Sequence, residues 1–329
     1  MTVDQHEIDP AADGTAALAR KGVRRNTFRS LLKNPFAIFS FVVLAILVFV
    51  AVTVPWLAPY PPNATDLASA NMPPFTNGHL FGADQSGRDI LSRLMWGTQA
   101  TLLACVLVLG VSLVLGLTSG LVAGFYRGKT EAVANFISDL IMSLPGIAVI
   151  ISLYSLTGPN IPAAMTAFGV IVTPSFYRLV RSVVISVRSE LYVDAAKVVG
   201  LSDFRIVGRH VLSAVRAPVI VQSSFVLATA VALLAGVDFI GLGSPNEPSW
   251  GRVLAEAFEN IYLVPGNIFF PALVISVTIL AFVLLGNALR DTLQASNRSA
   301  SLKPARRRTL ARVAQDERVA GLHDLTPPQ

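Results

Sequence analysis

The sequence predicts an all-α integral membrane protein that crosses the bilayer six times. Three observations carry this expectation. Of 329 residues, 53% are hydrophobic and only 14% charged, with a mean hydropathy of +0.60, too apolar for an ordinary soluble domain. Apolar runs of about twenty residues, the length a helix needs to cross the hydrocarbon, recur along the chain. The basic residues are also partitioned. Of 26 Lys and Arg, all but Arg88, Arg93 and Arg252 fall in stretches that six crossings place on one side. By the positive-inside rule that side is cytoplasmic, and it holds both termini.

Residues 1–34 begin acidic and turn basic (Arg20, Lys21, Arg24, Arg25, Arg29, Lys33), as expected of a cytoplasmic tail whose end meets the membrane surface. Residues 35–54 form the first predicted span, ending at Pro55-Trp56. The run is too long for a cleaved signal peptide, begins too far into the chain and lacks a small-residue cleavage pattern. Residues 55–97 are Pro-rich and polar and read as an external loop. The core, 98–290, carries five further spans, at 98–126, 132–154, 161–180, 217–237 and 269–289. A basic segment, 189–216, separates the fourth span from the fifth, and a second external loop covers 238–268. Residues 291–329 form a second cytoplasmic tail.

Within the second span Gly116, Gly120, Gly124 and Gly128 recur every four residues, a small-residue face that lets helices approach closely. The single cysteine, Cys105, excludes a disulfide within the chain and reads as a packing residue. Gly128-Lys129-Thr130 suggests a phosphate-binding loop, but that motif needs glycine at 123, where Ala123 stands. No other nucleotide site is visible. Asp139 lies inside the third span, where an ionisable residue either serves function or pairs with a neighbouring arginine. Pro145-Gly146 follows at mid-depth, and Pro174 interrupts the fourth span beside Thr173 and Ser175.

The segment Ser189–Pro218 is the most informative. Leu191–Val199 has helical spacing, Gly200 is a left-handed stop, and Ser202 with Asp203 caps a second short helix through Arg209. A DNA-reading helix-turn-helix has a similar look. Bilayer-long runs on both sides leave about thirty residues, too few for a separate DNA-binding domain, so nucleic acid is not expected as a partner. The remaining readings are a structural loop and a docking surface, of which the second fits the pattern better.

Three blocks give the chain a family resemblance: HLFGADQSGRDILSRLMWG at 79–97, DLIMSLPG at 139–146, and YVDAAKVVGLSDFRIVGRHVL at 192–212, continuing through FIGLGSPNEPSWGRVL to LLGNALRDTL. The chain resembles the inner-membrane permeases of bacterial ATP-binding-cassette importers, specifically the second permease of the dipeptide, oligopeptide and nickel group. The resemblance covers roughly residues 30–295. It implies the type I importer permease fold with an extra N-terminal helix. The family's cytoplasmic signature, Glu-Ala-Ala, three residues, then Gly, is met by Asp194, Ala195, Ala196 and Gly200, with Asp for Glu. Ser213 stands where the family usually has Pro.

By resemblance, Asp194, Ala195, Ala196, Gly200, Leu201, Ser202, Phe204, Ile206 and His210 form a coupling helix seated on a cytoplasmic ATPase, with Leu201, Phe204 and Ile206 as apolar anchors. The expected partners are a second permease, ATPase subunits, an extracytoplasmic binding protein and a peptide cargo. No cofactor or metal is expected in this chain, because ATP and Mg2+ belong to the ATPases, and no catalysis resides in it. The resemblance places Asp84, Gln85, Gly87, Arg88 and Asp89, and in the second loop Asn246, Glu247, Trp250 and Arg252, at a pore entrance or binding-protein dock. Read alone, the same residues suit a local Asp/Arg network that holds the loops. Nickel is an alternative cargo. An ion-coupled secondary transporter is the rival class, but it would need inverted repeats and more midplane charge than Asp139.

Overall fold

The computed structural model describes residues 31–76, 78–244 and 247–294, and among these every regular element is helical. Helix α1 spans Pro35–Leu57, α2 Ile90–Tyr126, α3 Gly128–Ser143, α4 Gly146–Thr157 and α5 Ile161–Arg188. Then come the short α6 Leu191–Val198 and α7 Asp203–Ile206, a π turn at Val207–Val211, and α8 Leu212–Phe239. Helix α9 spans Trp250–Glu259, and α10, which opens with a 3-10 turn, spans Pro265–Gln294. Five of these stretches are long and apolar enough to cross a membrane, and α3 with α4 makes a sixth when the bent pair is taken as one crossing.

The pairing of α2 with α5 is the centre of the unit that runs from Phe36 to Asn287. Its cause is the glycine face. A Cβ on Gly116, Gly120 or Gly124 would stand 2.4, 2.7 and 2.8 Å from the Cβ atoms of Phe176, Val180 and Val184, so two four-residue rows interlock where no side chain fits. Gly169 of α5 returns the pattern against Val111, with 2.8 Å from its Cβ position to Val111 Cβ. Gly128 does not join this face: it opens α3 at a φ of +63°, with open space around it.

The third span is broken rather than continuous. Leu144 is extended (φ −84°, ψ 128°) because the ring of Pro145 disfavours a helical conformation before it, and the chain restarts as α4 at 78° to α3. At Pro174 the helix continues instead. There the hydroxyl of Thr173 donates to Gly169 O and that of Ser175 to Val172 O.

Helix α2 starts at Ile90, eight residues before the predicted span. Its N-cap is Asp89, whose Oδ2 accepts from the Ser92 N–H and the Ser92 hydroxyl, each at 2.7 Å. In the second loop α9 lies across α8 at Gly251, where a Cβ would stand 2.2 Å from Ala235 O. Helix α10 approaches α8 through Gly286, beside Ser224 and Phe225. Of the second unit, Met1–Pro35 with Ala288–Gln329, only the inner ends lie within the described residues.

Candidate functional site

Helix α6 ends in a Schellman turn. The Leu201 N–H donates to Ala196 O at 3.1 Å and the Gly200 N–H to Lys197 O at 2.9 Å, with Gly200 at φ +84°. Open space surrounds Gly200, so glycine is required there by backbone conformation alone. The chain then enters α7 after Ser202, which takes the N-cap position without a side-chain bond. The second helix does not stop at Arg209. It runs through the π turn into α8, and the Ser213 hydroxyl donates to His210 O at 2.8 Å.

Exposure sorts the segment into two faces. Val193, Ala196, Ile206 and Val211 are buried in the protein's own core. Ile206 is therefore corrected: at 0% exposure it holds α7 onto the membrane helices and is not available to a partner. Ala196 likewise faces inward, while Ala195, Asp194 and Ser202 are exposed and Leu201 and His210 are half-buried. Phe204 is 89% exposed, and Leu191, Val198 and Val199, which sequence reasoning passed over, are all above 80%. Four large apolar side chains presented on a polar segment make a surface suited to a protein partner. Their signal in the sequence was an apolar excess beyond what the inward stripe of α6 uses.

At the opposite end of α2 and α8 the external loops meet in a buried ionic cluster. Arg93, 1% exposed, donates through Nη1 to Asp84 Oδ2 at 2.6 Å and to Glu256, and through Nη2 to Glu256 Oε1 at 3.2 Å. Arg88 binds Asp84 Oδ2 through Nε at 2.7 Å and Glu256 Oε2 through Nη2 at 3.1 Å. Arg252 reaches Glu256 Oε1 at 3.0 Å. Asp84 Oδ1 also closes its own loop, accepting from the Ser86 and Arg88 N–H groups. Burial pushes the Glu256 carboxyl up, but the hydrogen bond from Arg93 and the charges of Arg93, Arg88 and Arg252 outweigh it, leaving it below the ordinary carboxylate range.

Asp89 pairs with His79 Nδ1 at 2.8 Å. Trp250, 2% exposed, donates from Nε1 to Leu94 O at 2.9 Å and packs over Gly97. Of the residues assigned to these loops, Asp84, Gly87, Asp89 and Trp250 are thus interior, Arg88 and Arg252 are half-buried, and Gln85 and Glu247 are exposed. The interior four cannot serve as a contact surface; they hold the loops together. Asn246 lies outside the described residues. Arg93 and Glu256, which sequence reasoning did not select, are the middle of the cluster. The Arg252–Glu256 spacing on α9 was the available hint.

Asp139, at the third site, is bonded through Oδ1 to Arg178 Nη2 of α5 at 2.7 Å. One turn nearer the α2–α3 connection Tyr177 donates to Asn135 Oδ1 at 2.8 Å, and one turn further Arg181 pairs with Glu131.

Known proteins agree with this architecture. Residues 112–299 match the family described as binding-protein-dependent transport system inner membrane component, and residues 23–74 match the N-terminal TM domain of oligopeptide transport permease C. The chain is 32% identical over 276 residues to the dipeptide transport system permease protein DppC of Alkalihalophilus pseudofirmus, covering 84% of this chain and 90% of that one. It is 32% identical to the probable D,D-dipeptide transport system permease protein DdpC of Escherichia coli, over 79% and 87% of the two chains. It is also 32% identical to the glutathione transport system permease protein GsiD of Pectobacterium atrosepticum, over 82% and 90%. On the family match, the coverage of these relatives and the helical architecture, the chain belongs to the binding-protein-dependent transport system inner membrane components, as a multi-pass membrane permease of the DppC/OppC type.

Proposed function

We propose that this chain is one of two permeases forming the path of an ATP-driven peptide importer, with α6 and α7 as its contact to a cytoplasmic ATPase. The family membership carries the transport reading, and the names of the three relatives above, permeases for dipeptides, D,D-dipeptides and glutathione, favour peptide over nickel. The exposed apolar set at Leu191, Val198, Val199 and Phe204 supports the docking role. In this reading both tails and the α6–α7 segment are cytoplasmic, which the partition of Lys and Arg supports. ATP binding and hydrolysis take place in the partner subunits, a binding protein delivers the cargo, and this chain converts ATPase closure into a change of access.

The buried Arg93–Glu256 cluster then acts on the outside as the joint that makes the external loops move with α2 and α8. The deciding experiment reconstitutes this chain with and without its companion permease and ATPases in proteoliposomes and follows uptake of a labelled dipeptide. Uptake that requires ATP and the ATPases is expected; uptake by this chain alone, driven by an ion gradient, would overturn the proposal.

A further inference from the structure

We propose that Asp139 and Arg178 form a station for a zwitterionic short peptide on the wall of the translocation path. The inference rests on the peptide-import reading above. Its starting point is where this ion pair sits and how little of it is used. Both residues are on membrane helices, Asp139 about 17 Å along α3 from its first residue and Arg178 about 15 Å before the end of α5, at 1.5 Å per residue. Unlike every pair of the external cluster, this one is open: the side chains are 67% and 51% exposed. Arg178 stands two residues from the end of the predicted span 161–180, so the pair lies at the membrane's edge, where its open face meets water or a polar ligand rather than acyl chains.

The pair also holds unspent bonding capacity. Only Arg178 Nη2 and Asp139 Oδ1 are engaged among the described residues, which leaves Asp139 Oδ2 and the other guanidinium N–H groups without protein partners. That capacity is complementary to an unblocked peptide. The carboxylate suits an α-ammonium group, and the planar guanidinium suits an α-carboxylate in a two-pronged bond. Phe136 and Leu140, both exposed and one turn apart on α3, stand together beside Asp139 and offer apolar surface for peptide side chains. Binding exchanges one exposed ion pair for two, so the net gain is small. That is what a path needs, since a tightly held cargo would not leave. The neighbouring pairs differ in the expected way: Glu131–Arg181 and Asn135–Tyr177 are more enclosed and bind α3 to α5.

The test uses cysteine accessibility in the full complex, in vesicles, without binding protein or ATP. The one native thiol, Cys105, is 2% exposed and is replaced by alanine. Phe136→Cys, which leaves both charges in place, is then treated with a membrane-impermeant, cationic thiol reagent, with Val48→Cys on the exposed side of α1 as the lipid-facing comparison. A thiol in hydrocarbon stays protonated and unreactive, so labelling at 136 is expected on the order of tenfold faster than at 48. A millimolar unblocked dipeptide slows it severalfold, and the same dipeptide N-acetylated and C-amidated does not. Slow labelling, meaning that lipid or a partner helix covers the face, overturns the proposal, and so does labelling that neither peptide slows. Should Phe136→Cys fail to assemble, Leu140→Cys is read by the same criteria. ATP-driven dipeptide uptake by the unaltered complex is measured in parallel. Uptake without protection removes this station alone, whereas absence of uptake removes the import reading beneath it.

Discussion

Replacing Glu256 by glutamine tests whether the external loops are held by one cooperative ionic cluster. Glu256 accepts from Arg93 twice, from Arg88 and from Arg252, and is 7% exposed. Glutamine keeps the shape but removes the charge and turns one acceptor into a donor facing guanidinium groups. Arg88 and Arg93 would then share Asp84 as their one carboxylate, and Arg252 would lose its ion pair. Removing one partner from a buried charge cluster costs about 3–5 kcal/mol. At 2–4 °C per kcal/mol, the midpoint of thermal unfolding is expected to fall by roughly 6–20 °C at neutral pH, followed by tryptophan fluorescence, since Trp250 is beside the cluster.

The pH dependence has a definite sign. The folded-state pKa of Glu256 lies below its ordinary value, so its stabilisation is fully present above that value, near 4.5, and is lost as pH falls below it. The difference between Glu256→Gln and the unaltered protein should therefore persist from pH 8 to about 5 and shrink below about 4. Replacing Arg93 and Glu256 together with methionine should cost less than the sum of the single changes, because neither is left as an unpaired buried charge. A loss of less than about 1 °C at pH 7, or additive single effects, would refute the cluster's cooperativity.

Three further outcomes follow from contacts elsewhere. Gly120→Val places a branched side chain where even a Cβ would be 2.7 Å from Val180, and should cost about 3 kcal/mol or block assembly, seen as loss of detergent-stable protein; Gly110→Ala, with open space around it, should leave yield unchanged. Phe204→Ser should weaken co-purification of the ATPase by at least about tenfold with unchanged thermal stability, whereas Ile206→Ser should lower stability itself by about 2–4 kcal/mol, since only the first side chain is exposed. Gly200→Ala should cost about 1 kcal/mol through the forced positive φ and reduce uptake, and Gly200→Pro, which also removes the N–H given to Lys197 O, should abolish uptake with the chain still in the membrane.

What the sequence disclosed and what it hid divide along a physical line. Features set by neighbours in the chain were readable. Gly200 announces its turn because left-handed backbone favours glycine, and the Gly116–Gly120–Gly124 face shows in one helix without knowledge of what packs on it. Features set by distant partners were not. Helix α2 starts at Ile90 because the charge of Arg93 is neutralised by Asp84 and by Glu256, 163 residues away, and hydropathy counts Arg93 as a reason to end the span. The continuity of the long helix from Asp203 to Phe239 was hidden similarly: its first turns read as a separate short helix ending at Arg209, with Arg209 and Arg216 standing between it and the apolar run. At Pro145 the break was visible as a residue but its size was not. The similar Pro174 leaves α5 unbroken, with Thr173 and Ser175 bonding to its backbone.

That long helix explains how two ends of the molecule can act as one. From Asp203 to Phe239 it spans 37 residues, roughly 55 Å at 1.5 Å per residue. One end is joined to the exposed Phe204 surface with no intervening loop. Toward the other, Gly251 of α9 rests on Ala235 too closely for any side chain, and α9 carries Trp250, Arg252 and Glu256 into the external cluster. A displacement at the docking surface therefore reaches the external loops through packed backbone. It can be absorbed at the π turn at Val207–Val211, where the helical ladder changes register, and at Pro218, which lacks the N–H that would bond the preceding turn. Ser213, between the two, keeps its backbone N–H and adds a hydroxyl bond to His210 O, which holds the short helical stretch that separates them.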